Sequence, residues 1–240
     1  MIRFVPETGS TNADLLALGA DWREGDWLVA RRQSAGRGRA GRQWEDGAGN
    51  FMGSTVAALN PGDPPPQTLA LVAGLAAWDA VAAVAPGVNI RLKWPNDLLL
   101  GQAKLGGILL ERAGDIVVIG IGVNLARAPQ VPGRVTAALG EHSVAIAAED
   151  FAEILADRFA AHLAAWRGGE WPRQRDLWRA RAHPEGTPLE VRDRDGGRIA
   201  GAFAGLGADG AALLRLADGS TRPIHAGDVE LVGNGDAARG

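Results

Sequence analysis

Cysteine is absent from the 240 residues. That excludes disulfides, thiol nucleophiles, CxxC redox chemistry and cysteine-based zinc sites. Histidine is scarce: four residues, at 142, 162, 183 and 225, share no HxxxH or HxH spacing. A histidine-rich metal site is not expected. No uninterrupted apolar run approaches the roughly 20 residues a membrane helix needs. The opening MIRFVPETGS carries neither a cationic leader nor an apolar signal core, so no membrane association and a cytoplasmic location are expected. A positive excess is missing too: 25 basic against 28 acidic residues leave a net charge of −3. This argues against nucleic-acid binding over the whole surface. Lysine is nearly absent. Only Lys93 and Lys104, 11 residues apart, break a pattern in which every other cation of the side chains is Arg. Arg is a planar, weakly hydrated fork and Lys a compact, mobile point charge, so the two lysines stand out.

What is present is ordinary for a globular chain: 46% hydrophobic and 22% charged residues, with 34 Gly and 13 Pro to make turns. Residues 2–5, 26–30 and 51–58 read as strands. A helix is expected after Gly9, capped by Ser10 or Thr11, with Asp14 completing a capping box and Gly19 ending it. Pro64-Pro65-Pro66 opens the longest helical stretch, about 67–84, broad enough on its apolar face to pack on a sheet. Strands follow at 88–94, 97–100, 104–112 and 115–125, with tight turns at Gly101-Gln102 and Ala113-Gly114. Residues 126–149 read as loop and weak helix. Phe151, Ile154, Leu155, Phe159 and Leu163 give 150–166 a helical period, and a second helix is expected at 170–181. From 187 the texture changes to short strands, PLEVRD, RIAGAFAGL, ALLRL and TRPIHAGDVEL, separated by Asp-Gly and Gly-Gly turns. The expected plan is a mixed helix-and-sheet domain at 1–183, a small antiparallel barrel at 187–232 and a loose tail at 233–240.

Four segments carry chemistry. Gly36-Arg37-Gly38-Arg39-Ala40-Gly41-Arg42 packs three Arg and three Gly into one loop. Glycine lets backbone N–H groups approach a ligand, and arginine forks suit phosphate and carboxylate. The loop reads as a lid over an anion, mobile when empty. It has no GxxxxGK[ST] pattern, so it is not a P-loop; a solvated basic loop or an RNA contact is the alternative. Lys93-Trp94-Pro95-Asn96-Asp97 joins two strands through a proline-fixed turn, whose Asn and Asp can satisfy backbone, hold a cation or bind a metal. Lys104 then heads a strand with Gly106 and Gly107 inside it, costly unless something must approach the backbone. Gly120 and Gly122 alternate with Ile119, Ile121 and Val123, leaving one strand face bare. A flat ligand could lie there; a tightly packed core strand is the bland reading.

Gly9-Ser10-Thr11-Asn12, Gln33 through Trp44, Lys93 through Asp97, Lys104 through Leu109 and Gly120 through Asn124 resemble, in order and spacing, the biotin protein ligase family. The resemblance implies an α+β fold: a mixed-sheet catalytic domain of the biotin/lipoate ligase type with a small C-terminal SH3-like β-barrel. It implies two steps. Biotin's carboxylate attacks the α-phosphate of ATP, with Mg2+, to give biotinyl-5′-AMP and pyrophosphate. A lysine amine of a biotin carboxyl carrier domain then takes the biotinyl group. No protein nucleophile is needed; positioning and positive charge are.

Carried over by resemblance, Ser10, Thr11 and Asn12 would contact the urea end of biotin, with a helix cap as a compatible second role. Gln33 would line the biotin pocket. Arg37, Gly38 and Arg39 would wrap the biotin carboxyl and the adenylate phosphate, and Gly106 and Gly107 would floor the pocket. Arg42 would meet the ATP phosphates. Trp44 would stack on adenine or close the lid, core packing being the alternative. Lys104 resembles the catalytic lysine, bridging biotin carboxylate and α-phosphate, with Arg39 assisting. Asp97 would orient that lysine or hold magnesium. Asn96 and Asn124 would contact the nucleotide, and Lys93 could be structural. Family members also pair through sheet edges, so a homodimer is a candidate assembly. The first strand starts at Ile2, so no DNA-binding domain and no repressor role are expected. A lipoate or octanoate enzyme of the same fold is the second reading, disfavoured by the KWPND turn, the arginine lid and, for the transferases, the missing cysteine. A non-catalytic binding module is the third.

Overall fold

The computed structural model describes residues 1–18, 22–45, 47–192, 197–225 and 227–231. Its larger sheet has seven strands: β1 (Ile2–Val5), β2 (Trp27–Ala30), β3 (Phe51–Ala58), β4 (Ile90–Lys93), β5 (Asp97–Leu100), β6 (Ala103–Ala113) and β7 (Ile116–Val123). They lie in the order β1-β2-β3-β7-β6-β5-β4. β1 and β2 pair in parallel; every other pair is antiparallel.

Alternation along the strands gives the sheet two different faces. Phe51 and Ala57 of β3 and Val117, Ile119, Ile121 and Val123 of β7 point into the main core. That core is covered by α2 (Leu69–Val84) and α3 (Ala148–Ala165), with α4 (Trp171–Arg181) beside them. Aromatic rings interlock there: Trp27 meets Phe159 edge-on at 5.7 Å and Phe51 meets Phe151 at 5.4 Å. Asp79 of α2 clamps the three helices, bonded to His162 of α3 and Arg181 of α4, each at 2.7 Å. By length and mean hydropathy, Pro66–Val84 matches a membrane span, more apolar than the sequence pattern suggested; 61% of that window is buried, as befits the core helix.

On the opposite face, α1 (Thr11–Leu18) covers one end through Leu15, packed with Leu28, Val56 and Val118. The rest of that face, where β3, β7 and β6 present Ser54, Gly120, Gly122 and Gly107, forms the floor of a cleft.

The second sheet has five antiparallel strands: β8 (Pro188–Arg192), β9 (Arg198–Leu206), β10 (Ala212–Arg215), β11 (Thr221–Ile224) and β12 (Asp228–Leu231), in the order β11-β10-β9-β8-β12. Leu189, Val191, Phe203, Leu214 and Val229 give it a core continuous with that of the helices. Indole N–H groups anchor it to the rest of the chain: Trp94, just after β4, donates to the Gly210 carbonyl at 3.0 Å, and Trp171 of α4 to Ala208 at 2.6 Å.

Two expectations are corrected. TRPIHAGDVEL is not one strand. It breaks after Ile224, and its halves, β11 and β12, lie at opposite edges of the sheet. The capping box at Thr11 and Asp14 does not form. The first intrahelical bond runs from Asp14 N–H to the Ser10 carbonyl, which makes Ser10 the cap. The Thr11 hydroxyl and the Asp14 carboxylate are both engaged elsewhere, the latter by the Thr8 hydroxyl. The expected helix stop at Gly19, Val232 at the end of the expected barrel, and the tail at 233–240 lie outside the described residues.

Candidate active site

A cleft of about 390 Å³ opens on the glycine face of the larger sheet. Its floor exists because Gly107, Gly120 and Gly122 lack side chains, with Gly106 beneath it. A Cβ on Gly122 would sit 2.4 Å from the Trp44 indole, one on Gly120 2.3 Å from Asn12 Oδ1, and one on Gly106 2.7 Å from the Gly122 carbonyl oxygen. A Cβ on Gly107 would meet Lys104 Nζ at 3.1 Å. Trp44 therefore lies on bare backbone, half-buried in the cleft, and core packing is not its role.

Lys104 reaches this face through an irregularity in β6. Leu98 pairs with Gly106 but Leu99 with Lys104, so Leu105 is an extra residue in the ladder. Such a bulge re-aims neighbouring side chains. Leu105 is buried, and Lys104 turns into the cleft beside Gly107. Its ammonium donates to Asp97 Oδ1 at 2.6 Å, with each side chain about a fifth exposed. Asp97 opens β5 directly opposite Lys93, the last residue of β4, so the turn between them sets one carboxylate beside two lysines. Burial, above all, holds the Lys93 ammonium below the ordinary lysine value; Asp97 opposes this, and Lys104 and Arg134 add to it.

The arginine loop covers the cleft. It turns through a short 3-10 segment, Arg39–Gly41, with Ala40 at φ 55° and Gly41 at φ 71°, and closes by Gly38 N–H to the Arg42 carbonyl at 2.7 Å. Arg39 donates to Asn96 Oδ1 at 3.2 Å and to the Gly227 carbonyl at 3.4 Å, so the loop also touches the entry to β12. Arg42 Nε donates to the Arg39 carbonyl at 3.1 Å. Arg37 pairs with Glu111 at 3.2 Å.

At the other end, Ser10, Thr11, Asn12 and Gln33 are buried together. Gln33 Oε1 accepts from Thr11 N–H at 2.8 Å, and Asn12 is held between Ser54 at 2.6 Å and Glu111 at 2.9 Å. Ser10, Thr11, Asn12, Gln33, Arg37, Gly38, Arg39, Arg42, Trp44, Asn96, Asp97, Lys104, Gly107 and Asn124 all line the cleft. Gly106 lies under its floor. Two asparagines are also structural: Asn96 Nδ2 donates to the Ile108 carbonyl at 2.6 Å, and buried Asn124 donates to the Ala137 carbonyl at 3.0 Å.

Among the described residues no three His, Cys, Asp or Glu are placed to hold a metal. Asp97 Oδ1 accepts from Lys104, an arrangement that suits the orienting role expected of it. A magnesium ion suits this donor set only as part of the nucleotide substrate, with phosphate oxygens as its ligands.

Several lining or supporting residues escaped sequence reasoning. Ser54 and Glu111 were accessible in principle, because period-2 alternation from Met52 and from Gly107 places both on the floor face. Arg134, in a loop, and Val229, Glu230 and Leu231 of β12 carry no local signal; they reach the cleft only through the tertiary fold.

Residues 2–124 match the biotin/lipoate A/B protein ligase family, and residues 188–232 match the biotin protein ligase C terminal domain. The chain is 39% identical over 220 residues to the biotin–[acetyl-CoA-carboxylase] ligase of Paracoccus denitrificans, covering 87% of this chain and 91% of that protein. The chain belongs to the biotin/lipoate A/B protein ligase family. It is also 37% identical to the Mycobacterium tuberculosis protein of the same name, over 94% of this chain and 86% of that one. The biotin protein ligase of Aquifex aeolicus in complex with biotin and ATP superimposes with a TM-score of 0.84 at 26% identity, covering 96% of this chain and 98% of that one. The biotin protein ligase assignment thus rests on both parts of the chain, the seven-stranded sheet and the small one.

Proposed function

We propose that this biotin protein ligase joins biotin to ATP in the cleft and passes the biotinyl group to a lysine of a biotin carboxyl carrier domain. In the first step a carboxylate oxygen of biotin attacks the α-phosphorus, the bond to the leaving pyrophosphate breaks, and biotinyl-5′-AMP forms. In the second the carrier's ε-amine attacks the acyl carbon, AMP leaves with the electron pair of the acyl–oxygen bond, and the amine's proton passes to solvent.

The chain's own residues supply charge and position. Asp97 holds Lys104 where its ammonium can lie between carboxylate and phosphate, two anions that otherwise repel. Arg37, Arg39 and Arg42 close over the phosphates from the lid, and Trp44, Asn96 and Asn124 border the nucleotide. Ser10, Thr11, Asn12 and Gln33 offer the donors and acceptors a urea requires. Gly38 and Gly107 leave room for the ligand against the backbone, and Gly106 lets the neighbouring strand close up beneath the floor. Fixed donors aimed at developing charge need no reorganisation as the reaction proceeds.

The observation that carries the reading is the 2.6 Å Lys104–Asp97 pair standing over a side-chain-free floor beneath an arginine lid. The test is mass spectrometry of a biotin carboxyl carrier domain incubated with the protein, biotin and MgATP. One biotinyl adduct on one lysine is expected, absent when that lysine is replaced by arginine. An unmodified carrier would overturn the transfer step.

A further inference from the structure

We propose that Glu111 is a positioning residue for biotin: it sets which end of the Asn12 amide meets the substrate's urea, and it parks the lid residue Arg37. The inference rests on the assignment of Asn12 to the urea end of biotin.

Proton counting gives the chain of bonds a direction. Ser54 Oγ donates to Asn12 Oδ1 at 2.6 Å. A hydroxyl has one proton, so Ser54 must accept at its 2.6 Å contact with Thr11 Oγ1. The Thr11 proton thus goes to Ser54 rather than to Gln33 Oε1, which lies 3.1 Å from the hydroxyl and keeps the Thr11 backbone N–H at 2.8 Å. With Oδ1 held by Ser54, Asn12 Nδ2 points at Glu111 Oε2, 2.9 Å away. An ionised carboxylate only accepts. A flipped amide would set oxygen against oxygen there, so Glu111 terminates the chain and fixes its polarity.

The polarity matters to the ligand. A urea offers two N–H donors and one carbonyl acceptor. In the orientation Glu111 enforces, the free lone pair of Asn12 Oδ1 accepts a urea N–H; flipped, the amide would oppose donor to donor. Asn12 Oδ1 lies directly over Gly120, at the floor itself. Glu111's second oxygen, Oε1, binds Arg37 at 3.2 Å. A carboxylate beside a cleft that collects anions would repel them, and Arg37 neutralises it. Both side chains keep solvent exposure, 51% for Arg37 and 26% for Glu111, so the pair is weak enough for a substrate anion to draw Arg37 away.

The test is a double-mutant cycle on the full chain, read by biotin calorimetry and by steady-state pyrophosphate release. Glu111→Gln keeps the shape but leaves one acceptor oxygen for two donors. We expect about tenfold weaker biotin binding, with kcat at saturating biotin and the KM for ATP within about twofold of the parent. In an Asn12→Ala background the same substitution should change biotin affinity less than about twofold, since no amide remains to orient. Parent affinity in Glu111→Gln, or a full loss persisting in Asn12→Ala, would overturn the inference. Parent affinity in Asn12→Ala alone would remove the urea assignment and the inference with it. Should Glu111→Gln fail to fold, Glu111→Asp, which draws the carboxylate back from Asn12 by one methylene, carries the same expectation through the cycle.

Discussion

Replacing Lys104 by methionine keeps the length of the side chain and removes its ammonium. Two consequences separate. For folding, Asp97 loses a partner at 2.6 Å, yet about a fifth of its side chain stays in water and Lys93 stands beside it. Removing Lys104 also lifts a like charge from Lys93, whose ammonium burial already disfavours. The folding cost is therefore about 1–2 kcal/mol, below the roughly 3–5 kcal/mol of breaking a fully buried pair. That lowers Tm by a few degrees in a chain of this size. For adenylation, the loss is a preorganised charged donor at the point where carboxylate and phosphate meet. Such a donor is worth about 3–4 kcal/mol, a factor on the order of 10²–10³ in kcat. Thermal denaturation and pyrophosphate release at saturating biotin and ATP, run side by side, read both quantities. A variant that folds and still releases pyrophosphate within about tenfold of the parent would refute the role given to Lys104.

Further expectations follow from the floor, from one histidine and from the lid. Gly122→Ala places a methyl 2.4 Å from the Trp44 indole, which must lift off the backbone. The fold should survive, with the KM for ATP raised about tenfold; a parent-like KM would contradict Trp44 as a nucleotide contact. His183 is held neutral by burial and, next, by Arg91 and Lys93, which lower its pKa from 6.5 to about 4. Its folded-state value lies below its unfolded one, so its contribution to stability is present above pH 6.5 and is lost as pH falls toward 4. His183→Gln should flatten the Tm profile in that window, by at most about 1.4 kcal/mol per pH unit, and an unchanged slope would be evidence against it. Limited proteolysis within 36–42 should slow when biotin and ATP are both present; equal cleavage with and without them would argue against an ordering lid.

The long periodic elements were legible because their pattern is local. Phe151, Leu155, Phe159 and Leu163 mark α3 at helical spacing, and all four are buried. The bare strand face was legible too, since Gly120 and Gly122 alternate with isoleucines that the core takes up. What failed depended on partners far along the chain. Thr11 and Asp14 spell a capping box, but Thr11 is claimed by Gln33 and Ser54, 22 and 43 residues away. The bulge at Leu105 that turns Lys104 into the cleft leaves no mark in KLGGILLE. Nor does TRPIHAGDVEL announce that its second half will cross the small sheet and wall the cleft with Val229 and Leu231. Sequence resemblance named the candidate site residues one by one; their mutual bonds, with Glu111 joining Asn12 to Arg37, came from the fold.

The most direct test of the account is pyrophosphate release with MgATP, run in parallel with biotin, lipoate and octanoate as the acid. Release with biotin and not with the other two is the predicted result. Release with lipoate or octanoate alone would keep the fold and the charge machinery but contradict the reading of Ser10, Thr11, Asn12 and Gln33 as a urea-binding set.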